Sequence, residues 1–285
     1  MTNILYTKLS IYYGSWLVFP LLYWFAKKRW FIMVLLSLLF IYARFIEPQL
    51  LFVHHYKIET GFKAKVALIS DMHLGIYNDA NILKRVVEKI NKEKVDALLI
   101  AGDLTYEPQL SDMKKLFAPL QNVQVPIYVV LGNHDCQRPG PDIKDELIKV
   151  LKSFGVHIIT NKAVKLNDIT ILGLGSLWAG DADITLLDKY TTKDNLIVLT
   201  HNPDTVLHYQ PNHYPPLTLA GHTHGGQIRI PYLYKNMLPI KGDILWDQGL
   251  YALQNGKVFV TSGIGEIGLP LRFLIPPTID ILELY

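Results

Sequence analysis

The chain has 285 residues, half of them apolar, and a formal net charge of +3. This length suits one large domain or two modest ones, and the apolar content excludes an intrinsically disordered protein. The sole cysteine, Cys136, excludes an intramolecular disulfide and a zinc site built from thiolates.

Positive charge is concentrated at the N-terminal end. Five basic residues and one acidic residue give residues 1–50 a net charge of +4, so the remainder of the +3 chain carries −1. A nucleic-acid-binding domain needs a basic face on its folded part. The distribution therefore predicts no nucleic-acid partner.

Two apolar runs occupy the same N-terminal segment. Residues 10–26 contain no charge over 17 positions, and residues 30–43 form a second run of 14, with the basic stretch 27–29 between them. A spanning helix needs roughly 20 apolar residues, with about 17 as the practical minimum, so the second run is short. Aromatic residues cluster near the ends of both runs, as at a membrane interface. We therefore predict a membrane segment of one or two helices over residues 1–46; the alternative is a buried helical hairpin in a soluble protein.

The same segment leaves open which membrane face carries the remaining chain. If both runs span, the basic stretch 27–29 stays in the cytoplasm and the remaining chain lies outside. If only the first run spans, or both lie in the interface, the remaining chain stays on the cytoplasmic side. A cleaved secretory signal fits less well, because no small-residue cleavage site follows the first run.

Strand and helix patterns alternate after the membrane segment. We assign residues 47–62 to a connector with an edge strand and residues 63–285 to one α/β domain. The alternation argues for a largely parallel sheet with helices outside. The predicted elements are strands at residues 54–59, 65–70, 96–101, 127–131, 169–173, 195–200 and 217–220, helices at 80–92, 111–120 and 183–189, and late strands at 227–230, 257–261 and 279–284.

Polar residues follow five of these strands where each strand ends. Ligands bind beyond the carboxyl ends of such strands, so we expect these residues in one site. They are two carboxylates, one amide and five imidazoles: Asp71, His73, Asp103, Asn133, His134, His201, His222 and His224. A nitrogen and oxygen shell without thiolate suits manganese, iron or zinc better than calcium or magnesium. So many donors exceed the needs of one ion and fit two ions that share a carboxylate.

The segment 220–227 places His222 and His224 two residues apart between glycines. Glycine lacks the Cβ that would keep the backbone away from a ligand or a neighbouring strand, so a tight loop is predicted. Taken by themselves, the two imidazoles could share one metal ion or bind two adjacent ones. A pair of histidines in a polar turn is the alternative.

Five motifs in order carry a resemblance to a known family. They are Asp71-x-His73, Gly102-Asp103, Gly132-Asn133-His134-Asp135, His201 and Gly221-His222-x-His224. Over residues 63–230 they resemble the calcineurin-like metallophosphoesterase superfamily in order and spacing, a far more specific match than any single motif. The finer pattern, with His201-Asn202-Pro203-Asp204 and Gly268-Leu269-Pro270-Leu271-Arg272, resembles its membrane-associated bacterial branch. That branch includes phosphodiesterases and a UDP-2,3-diacylglucosamine pyrophosphatase of lipid A synthesis.

The resemblance implies a four-layer α/β/β/α sandwich and two divalent metal ions, manganese first, with iron and zinc as alternatives. It implies that Asp71, His73 and His224 hold the first ion and that Asp103 bridges the two. The implied ligands of the second ion are Asn133, His201 and His222. A water between the ions is then the nucleophile, and His134 stands outside the shell to stabilise phosphoryl oxygens or protonate the leaving oxygen.

One position departs from the pattern of the family. Many members read Gly-Asp-x-x-Asp in the second motif, whereas this chain has Tyr106 at the last position. If that carboxylate supports the catalytic histidine, Glu107 or Asp135 must replace it. Asp135 either orients His134 or braces the loop.

Three arginines near the expected site are candidates for substrate phosphate, because guanidinium binds phosphate in a bidentate manner. They are Arg138, Arg229 and Arg272, and we expect at most one of them to serve. Residues 232–246 combine aromatic and aliphatic residues with two lysines. They form either a rim that contacts lipid or an ordinary packed insertion.

The sequence thus predicts a dinuclear-metal hydrolase of a phosphodiester or pyrophosphate bond, with a lipid-linked substrate such as UDP-2,3-diacylglucosamine. It is expected to be anchored in the bacterial cytoplasmic membrane. A phosphoesterase for a soluble substrate held at the membrane is one alternative. A non-catalytic binding scaffold on the same fold is another.

Overall fold

The computed structural model of the chain describes residues 16, 18, 29–136, 142–210, 215–240, 246–253 and 256–285. Apart from Trp16 and Val18, the first apolar run lies outside the described residues. Arg138, one of the candidate phosphate-binding arginines, also lies outside them.

Short strands and a few helices make up the described chain. The α-helices are α1 (Trp30–Ile41), α2 (Ala80–Ile90), α3 (Met113–Phe117) and α4 (Lys144–Ser153). The strands are β1 (Phe52–Ile58), β2 (Ala64–Ile69), β3 (Leu74–Gly75), β4 (Ala97–Ala101), β5 (Thr105–Tyr106), β6 (Ile127–Val130), β7 (His157–Ile158), β8 (Lys162–Leu166), β9 (Ile169–Gly173), β10 (Leu196–Leu199), β11 (Leu217–Ala220), β12 (Gly249–Ala252), β13 (Lys257–Val260) and β14 (Thr278–Leu284).

The strands form two mixed six-stranded sheets and one small pair. The first sheet has the order β1-β14-β2-β4-β6-β7, and the second has the order β12-β13-β11-β10-β9-β8. Within the first sheet, β2, β4 and β6 are parallel, and within the second, β9, β10, β11 and β13 are parallel. Among the described strands, antiparallel pairing is confined to β14 with β2, β8 with β9, and β12 with β13. The predicted parallel character is therefore correct for the strands that precede the polar clusters.

Apolar side chains from the two sheets interdigitate and form the core between them. Leu68 and Leu99 of the first sheet belong to the same buried cluster as Leu199 and Leu219 of the second. Burying an aliphatic side chain of this size contributes about 1.5–3 kcal/mol. This packing holds the two sheets face to face and so places their strand ends next to one another.

The outer faces of the two sheets are covered differently. Helices α2, α3 and α4 pack on the outer face of the first sheet. Helix α2 is amphipathic: Leu83, Val86 and Val87 face the sheet, and the side chain of Asp79 caps the helix by accepting a hydrogen bond from the Asn81 amide at 2.8 Å. On the second sheet, the described cover consists of 3₁₀ segments such as Ile184–Lys189.

The structure corrects two of the predicted elements. The strand predicted at residues 227–230 is wrong, because Gln227 has a φ of 45° and only Ile228 forms an isolated bridge, to Phe273. The helix predicted at residues 111–120 is α-helical only in α3, with 3₁₀ turns on both sides. Pro119 has no amide hydrogen, and it stands at the start of the second of these turns.

The second apolar run forms helix α1, none of whose residues is buried. Helix α1 continues through a π turn and a 3₁₀ turn, and Trp30–Gln49 is the one helix of the described chain that is long and apolar enough to cross a membrane. Its last turn is attached to the domain, because the Glu47 carboxylate accepts hydrogen bonds from the amides of Leu274 and Ile275. The helix therefore has a fixed end and an apolar exposed body.

One buried carboxyl of the first sheet is not a member of the polar clusters. Asp280 on β14 is 2% exposed. Burial raises the pKa of Asp280 to about 7 from its ordinary 3.8, against the hydrogen bonds of Thr261 and Thr278. The folded chain therefore binds the Asp280 proton more tightly than the unfolded chain does.

We predict that Asp280→Asn changes the pH dependence of stability. The stability contributed by neutral Asp280 is complete below the unfolded pKa of 3.8 and is lost as the pH rises through about 7. Relative to wild type, the variant should gain roughly 2–3 kcal/mol of unfolding free energy between pH 5 and pH 8. Urea unfolding of both proteins at the two pH values measures the difference. The exposed Asp168→Asn should show no such gain, and a pH-independent difference for Asp280→Asn would contradict the assignment.

Candidate metal centre

The eight polar residues that the sequence singles out lie together where the two sheets meet. By strand they are Asp71 and His73 after β2, Asp103 after β4, Asn133 and His134 after β6, His201 after β10, and His222 and His224 after β11. Three of these strands belong to the first sheet and two to the second. The site is therefore assembled from the carboxyl ends of strands in both sheets.

A first buried cluster contains Asp71, His73 and His224, whose ligand atoms all lie within 4.8 Å of one another. The Nε2 atoms of His73 and His224 are 3.1 Å apart, and the two rings are stacked. The Nε2 of His224 lies 3.4 Å from Oδ1 of Asp71. Three donor atoms that converge in this way could hold a metal ion.

A second buried cluster contains Asp103, His201 and His222. The Nε2 of His201 lies 3.2 Å from Oδ2 of Asp103 and 3.1 Å from Nδ1 of His222. The two clusters thus each contain one carboxylate and two imidazoles. His222 and His224, neighbours in the sequence, lie in different clusters.

Asp103 connects the two clusters. Its Oδ2 lies 3.2 Å from His201 of the second cluster and 3.7 Å from Nε2 of His73 in the first. Its Oδ1 accepts a hydrogen bond from the backbone amide of His134 at 2.9 Å. One oxygen is therefore held by the loop after β6, while the other faces both clusters.

Buried polar atoms show that the donor set fits metal ions. Oδ1 of Asp71 and Oδ1 of Asn133 are buried and accept no hydrogen bond. A buried acceptor without a partner costs about 1–3 kcal/mol, unless a cation compensates it. Both oxygens belong to the set predicted from the sequence, and the Asn133 side chain lines the same cavity as Asp103. The residues present are therefore suited to hold two divalent cations.

Backbone carbonyls fix which ring nitrogen of two histidines faces the centre. The Nδ1–H of His201 donates to the carbonyl of Ala101 at 2.8 Å, and that of His224 donates to the carbonyl of Gly265 at 3.2 Å. A carbonyl oxygen only accepts, so Nδ1 carries a hydrogen in both rings, and Nε2 is the ring nitrogen that faces the centre. Such hydrogen bonds orient metal-binding imidazoles in proteins.

Burial and neighbouring charges shift the titration of these groups strongly. Burial lowers the pKa of His73 and of His222 to about 3, so both rings are neutral and able to bind a cation. Burial also raises the pKa of Asp71 to about 6. At His201 burial acts downward, but the Asp103 carboxylate outweighs it and raises the pKa to about 9. Two carboxylates in a buried site favour a nearby positive charge, which divalent cations supply.

Several of these residues have a left-handed backbone that is uncommon outside glycine. Their φ values lie between 46° and 72°, and they are Asp71, His73, Asp103, His222 and His224. Such conformations cost energy and are concentrated at functional sites. The adjoining glycines are required for a related reason: a Cβ on Gly132 would collide with Asp103, and one on Gly221 would collide with Ser70. The loops are therefore built for close approach.

His134 stands beside the clusters and lines the cavity. The rings of Tyr106 and His73 meet its ring at 5.5 and 5.3 Å between centroids, edge to face. The Asp135 carboxylate accepts hydrogen bonds from the amide and hydroxyl of Thr105 and from the Gly132 amide, at 2.9–3.0 Å. Asp135 thus braces the loops after β4 and β6.

The two candidate phosphate-binding arginines that the structure describes both have protein partners. The guanidinium of Arg229 pairs with Asp247 and with the hydroxyl of Tyr234. Arg272 is fully buried, and its guanidinium donates to the carbonyls of Ser262, Gly265 and Ile275. Because the Gly265 carbonyl also accepts from His224, Arg272 stabilises the loop that orients that ring.

A cavity of about 330 Å³ opens beside the centre. Polar residues of the two clusters form one wall of the cavity. The cavity is also lined by Trp178, Ile228, Pro239, Ile267 and Leu269, together with Thr223, Gly226 and Gln227. The sequence analysis missed Trp178, whose ring lies 4.6 Å from that of His222. Its position after β9, at the same edge of the second sheet, was the available signal.

Comparisons with known proteins all point to one family. The model of the calcineurin-like phosphoesterase family matches residues 64–226. The metallophosphoesterase YkuE of Bacillus subtilis is 31% identical over 85% of this chain and 88% of its own length. The phosphodiesterase YaeI of Escherichia coli is 30% identical over 77% of this chain and 82% of its own length. The UDP-2,3-diacylglucosamine pyrophosphatase LpxG of Chlamydia muridarum is 25% identical over 86% and 93%, respectively.

Other bacterial relatives are longer, and the chain spans 59% of their length. The region matched by the family model begins at β2 and ends just after His224, so it contains all eight polar residues of the site. More than half of the chain is matched. The chain therefore belongs to the calcineurin-like phosphoesterase family and is a metal-dependent phosphoester hydrolase.

Proposed function

We propose that the chain hydrolyses a phosphodiester or pyrophosphate bond of a lipid-linked substrate at a membrane surface. The observation that carries this proposal is the pair of carboxylate and imidazole clusters joined by Asp103, beside a cavity whose wall includes five apolar residues. The clusters supply the chemistry, and the wall supplies a surface for the apolar part of the substrate.

We assign the site residues the metal-binding roles that the sequence analysis predicts. In this proposal Asp71, His73 and His224 would hold the first ion, and both ions would share Asp103. The second ion is held by Asn133, His201 and His222. Two bound divalent cations supply Lewis acidity at the phosphoryl oxygens and a lowered pKa for an attacking water. We propose manganese as the native metal, with iron and zinc as alternatives, because the donor set contains nitrogen and oxygen but no thiolate.

His134 is proposed as the catalytic residue outside the metal shell. Its ring lines the cavity, and its backbone amide is fixed by Asp103 at 2.9 Å. From this position the imidazole can donate a hydrogen bond to a phosphoryl oxygen or a proton to the leaving oxygen.

A lipid-linked substrate is supported by the cavity and by one relative. Trp178, Ile228 and Leu269 give the cavity an apolar lining. Apolar lining with a few convergent polar groups is usual for sites that bind an amphipathic ligand. The similarity to a protein named UDP-2,3-diacylglucosamine pyrophosphatase points to the same substrate class. Neither Arg229 nor Arg272 is assigned to substrate binding in this proposal, since both guanidinium groups already have protein partners.

Membrane anchoring is supported by the exposed helix. In Trp30–Gln49 only 11% of the most apolar stretch is buried within the protein. A helix that is apolar on all faces is stable when lipid or protein surrounds it. We propose that residues 1–46 form the membrane segment, residues 47–62 the connector and residues 63–285 the catalytic domain, anchored in the bacterial cytoplasmic membrane. We also propose that the domain keeps the four-layer α/β/β/α arrangement, with 3₁₀ segments in the fourth layer.

We predict that Asp103→Asn removes both metal and turnover. The amide keeps the shape and the hydrogen bond to the His134 amide but removes the charge shared by the clusters. Turnover should fall by at least about 100-fold, since even the outer partners of metal ligands are worth 10–100-fold. Atomic emission should show less than the wild-type two ions per chain. Asp168→Asn is the control, and full metal content in Asp103→Asn would contradict the bridging role.

For His134→Asn we expect a different outcome, with metal content unchanged and turnover lower by about 10²–10⁴. Metal content and turnover of the purified variant separate this role from that of a ligand. Loss of metal would instead place His134 in the shell, and unchanged turnover would remove it from catalysis.

The substrate class is tested by comparing two phosphoesters after chelation and restoration of Mn²⁺, Fe²⁺ or Zn²⁺. We expect kcat/KM for UDP-2,3-diacylglucosamine in vesicles to exceed that for a water-soluble aryl phosphodiester. Preference for the soluble ester would favour the phosphoesterase merely held at the membrane. Metal-restored hydrolysis of neither ester would refute the proposed substrate classes.

A further inference from the structure

We propose that a surface next to the cavity contacts the lipid bilayer and turns the cavity mouth toward it. The surface consists of Ile230, Tyr232, Leu233 and Leu274 and is called the apolar rim below. This inference rests on the proposed function, because it assigns the surface through which the membrane-embedded substrate is met.

The apolar rim consists of large side chains that leave the protein. Tyr232 is 94% exposed, Leu233 58%, Leu274 54% and Ile230 45%. Single exposed apolar residues are common on soluble proteins, whereas contiguous ones mark contact with a protein or a membrane. Whether these four residues are contiguous therefore decides their meaning.

Backbone contacts bring the two parts of the apolar rim together. The amide of Arg229 donates to the carbonyl of Phe273 at 2.8 Å, which places Leu274 beside the segment that contains Ile230. Tyr232 and Leu274 line one shallow groove, together with Lys235. The rim is thus one surface built from two loops.

Backbone strain is stored at two positions of this surface. Tyr232 has a φ of 68° and Leu274 a φ of 60°. This region is unfavourable for bulky residues, and neither side chain is repaid by burial within the domain. An occupant outside the domain would supply the missing burial.

Continuity with the candidate membrane helix identifies the occupant as lipid. The Glu47 carboxylate, at the end of Trp30–Gln49, accepts a hydrogen bond from the Leu274 amide at 2.9 Å. The Arg272 amide donates to the carbonyl of Ala43 at 3.0 Å. The apolar rim is therefore fixed to the point where the helix enters the domain. A bilayer that surrounds the helix meets the rim.

The composition of the apolar rim also matches a membrane interface. Tyrosine is enriched at the level of the headgroups, where its ring is apolar and its hydroxyl is hydrated. Lys235 in the same groove supplies a cation for anionic headgroups. A protein partner would fit the apolar residues but not their fixed position at the helix end.

The apolar rim lies next to the cavity mouth. The side chain of Gln227 donates to the carbonyls of Ile267 and Leu269, both at 2.9 Å. Ile228 and Leu269 line the cavity. Ile228 lies two residues before Ile230 of the apolar rim, and a short loop separates Leu269 from Leu274. Contact with a bilayer at the apolar rim therefore places the cavity mouth at the lipid surface.

A matched pair of tyrosines tests the contact. Tyr285 is 55% exposed at the end of β14, and this strand runs from the cavity edge of the first sheet to the opposite edge. The full chain carrying Tyr232→Cys or Tyr285→Cys is labelled with an environment-sensitive fluorophore and placed in vesicles of phosphatidylcholine and phosphatidylglycerol. Cys136 is buried and present in both proteins.

Brominated acyl chains should quench the label at position 232 at least about twofold more than the label at position 285, because an interfacial surface reaches the acyl boundary. Equal quenching at both positions overturns the proposal, including the case in which a protein partner covers the apolar rim. This readout does not depend on catalysis, so it decides the inference even if no phosphoester is hydrolysed.

Kinetics give a second measurement. The double variant Tyr232→Ser, Leu233→Ser should raise KM for a vesicle-embedded phosphoester about tenfold and leave the soluble aryl phosphodiester unchanged, whereas Tyr285→Ser should change neither. An unchanged KM on vesicles also overturns the proposal. Absence of metal-dependent turnover in the wild-type chain would count against the proposed function alone.

Discussion

The apolar core between the two sheets is the constraint on which the site depends. Leu68, Leu99, Leu199 and Leu219 pack across this core and hold β2, β4, β10 and β11 with their carboxyl ends at one edge. Each cluster draws on both sheets: Asp71 and His224 meet in the first, and Asp103 and His201 in the second. The site therefore depends on sheet packing, and a change in the core would move site residues that are themselves unchanged.

Asp103 links the two clusters electrostatically. One oxygen is tied to the amide of His134, and the other faces both clusters. The surrounding hydrogen bonds are arranged so that Asp135 secures the loops and carbonyl oxygens orient His201 and His224. Left-handed backbone at Asp103 and its neighbours shows that the fold tolerates strain there in order to bring charged groups within reach.

The exposed helix is connected to the candidate metal centre through one loop of the domain. Glu47 attaches the end of Trp30–Gln49 to the loop that contains Leu274, and Arg272 in the same loop holds the Gly265 carbonyl beside His224. The attachment of the helix and the orientation of the His224 ring thus share one short segment. A hydrolase that acts on a membrane-embedded phosphate would use this geometry to meet its substrate.

The sequence by itself determined the strands that precede the polar clusters and the residues of both clusters, because buried parallel strands are short apolar runs and their ends are polar. The spacing of His222 and His224 by itself left open whether they share one ion, and only the family resemblance assigned them to different ions. In the structure they lie in different clusters because of the position of β2 relative to β11. Tertiary structure also decided the place of Trp178 beside His222 and the bracing role of Asp135, because both depend on contacts between loops that follow different strands. The strand predicted at residues 227–230 failed because the side chain of Gln227 bonds to the loop of Ile267 and Leu269, a contact across 40 residues that no local pattern contains.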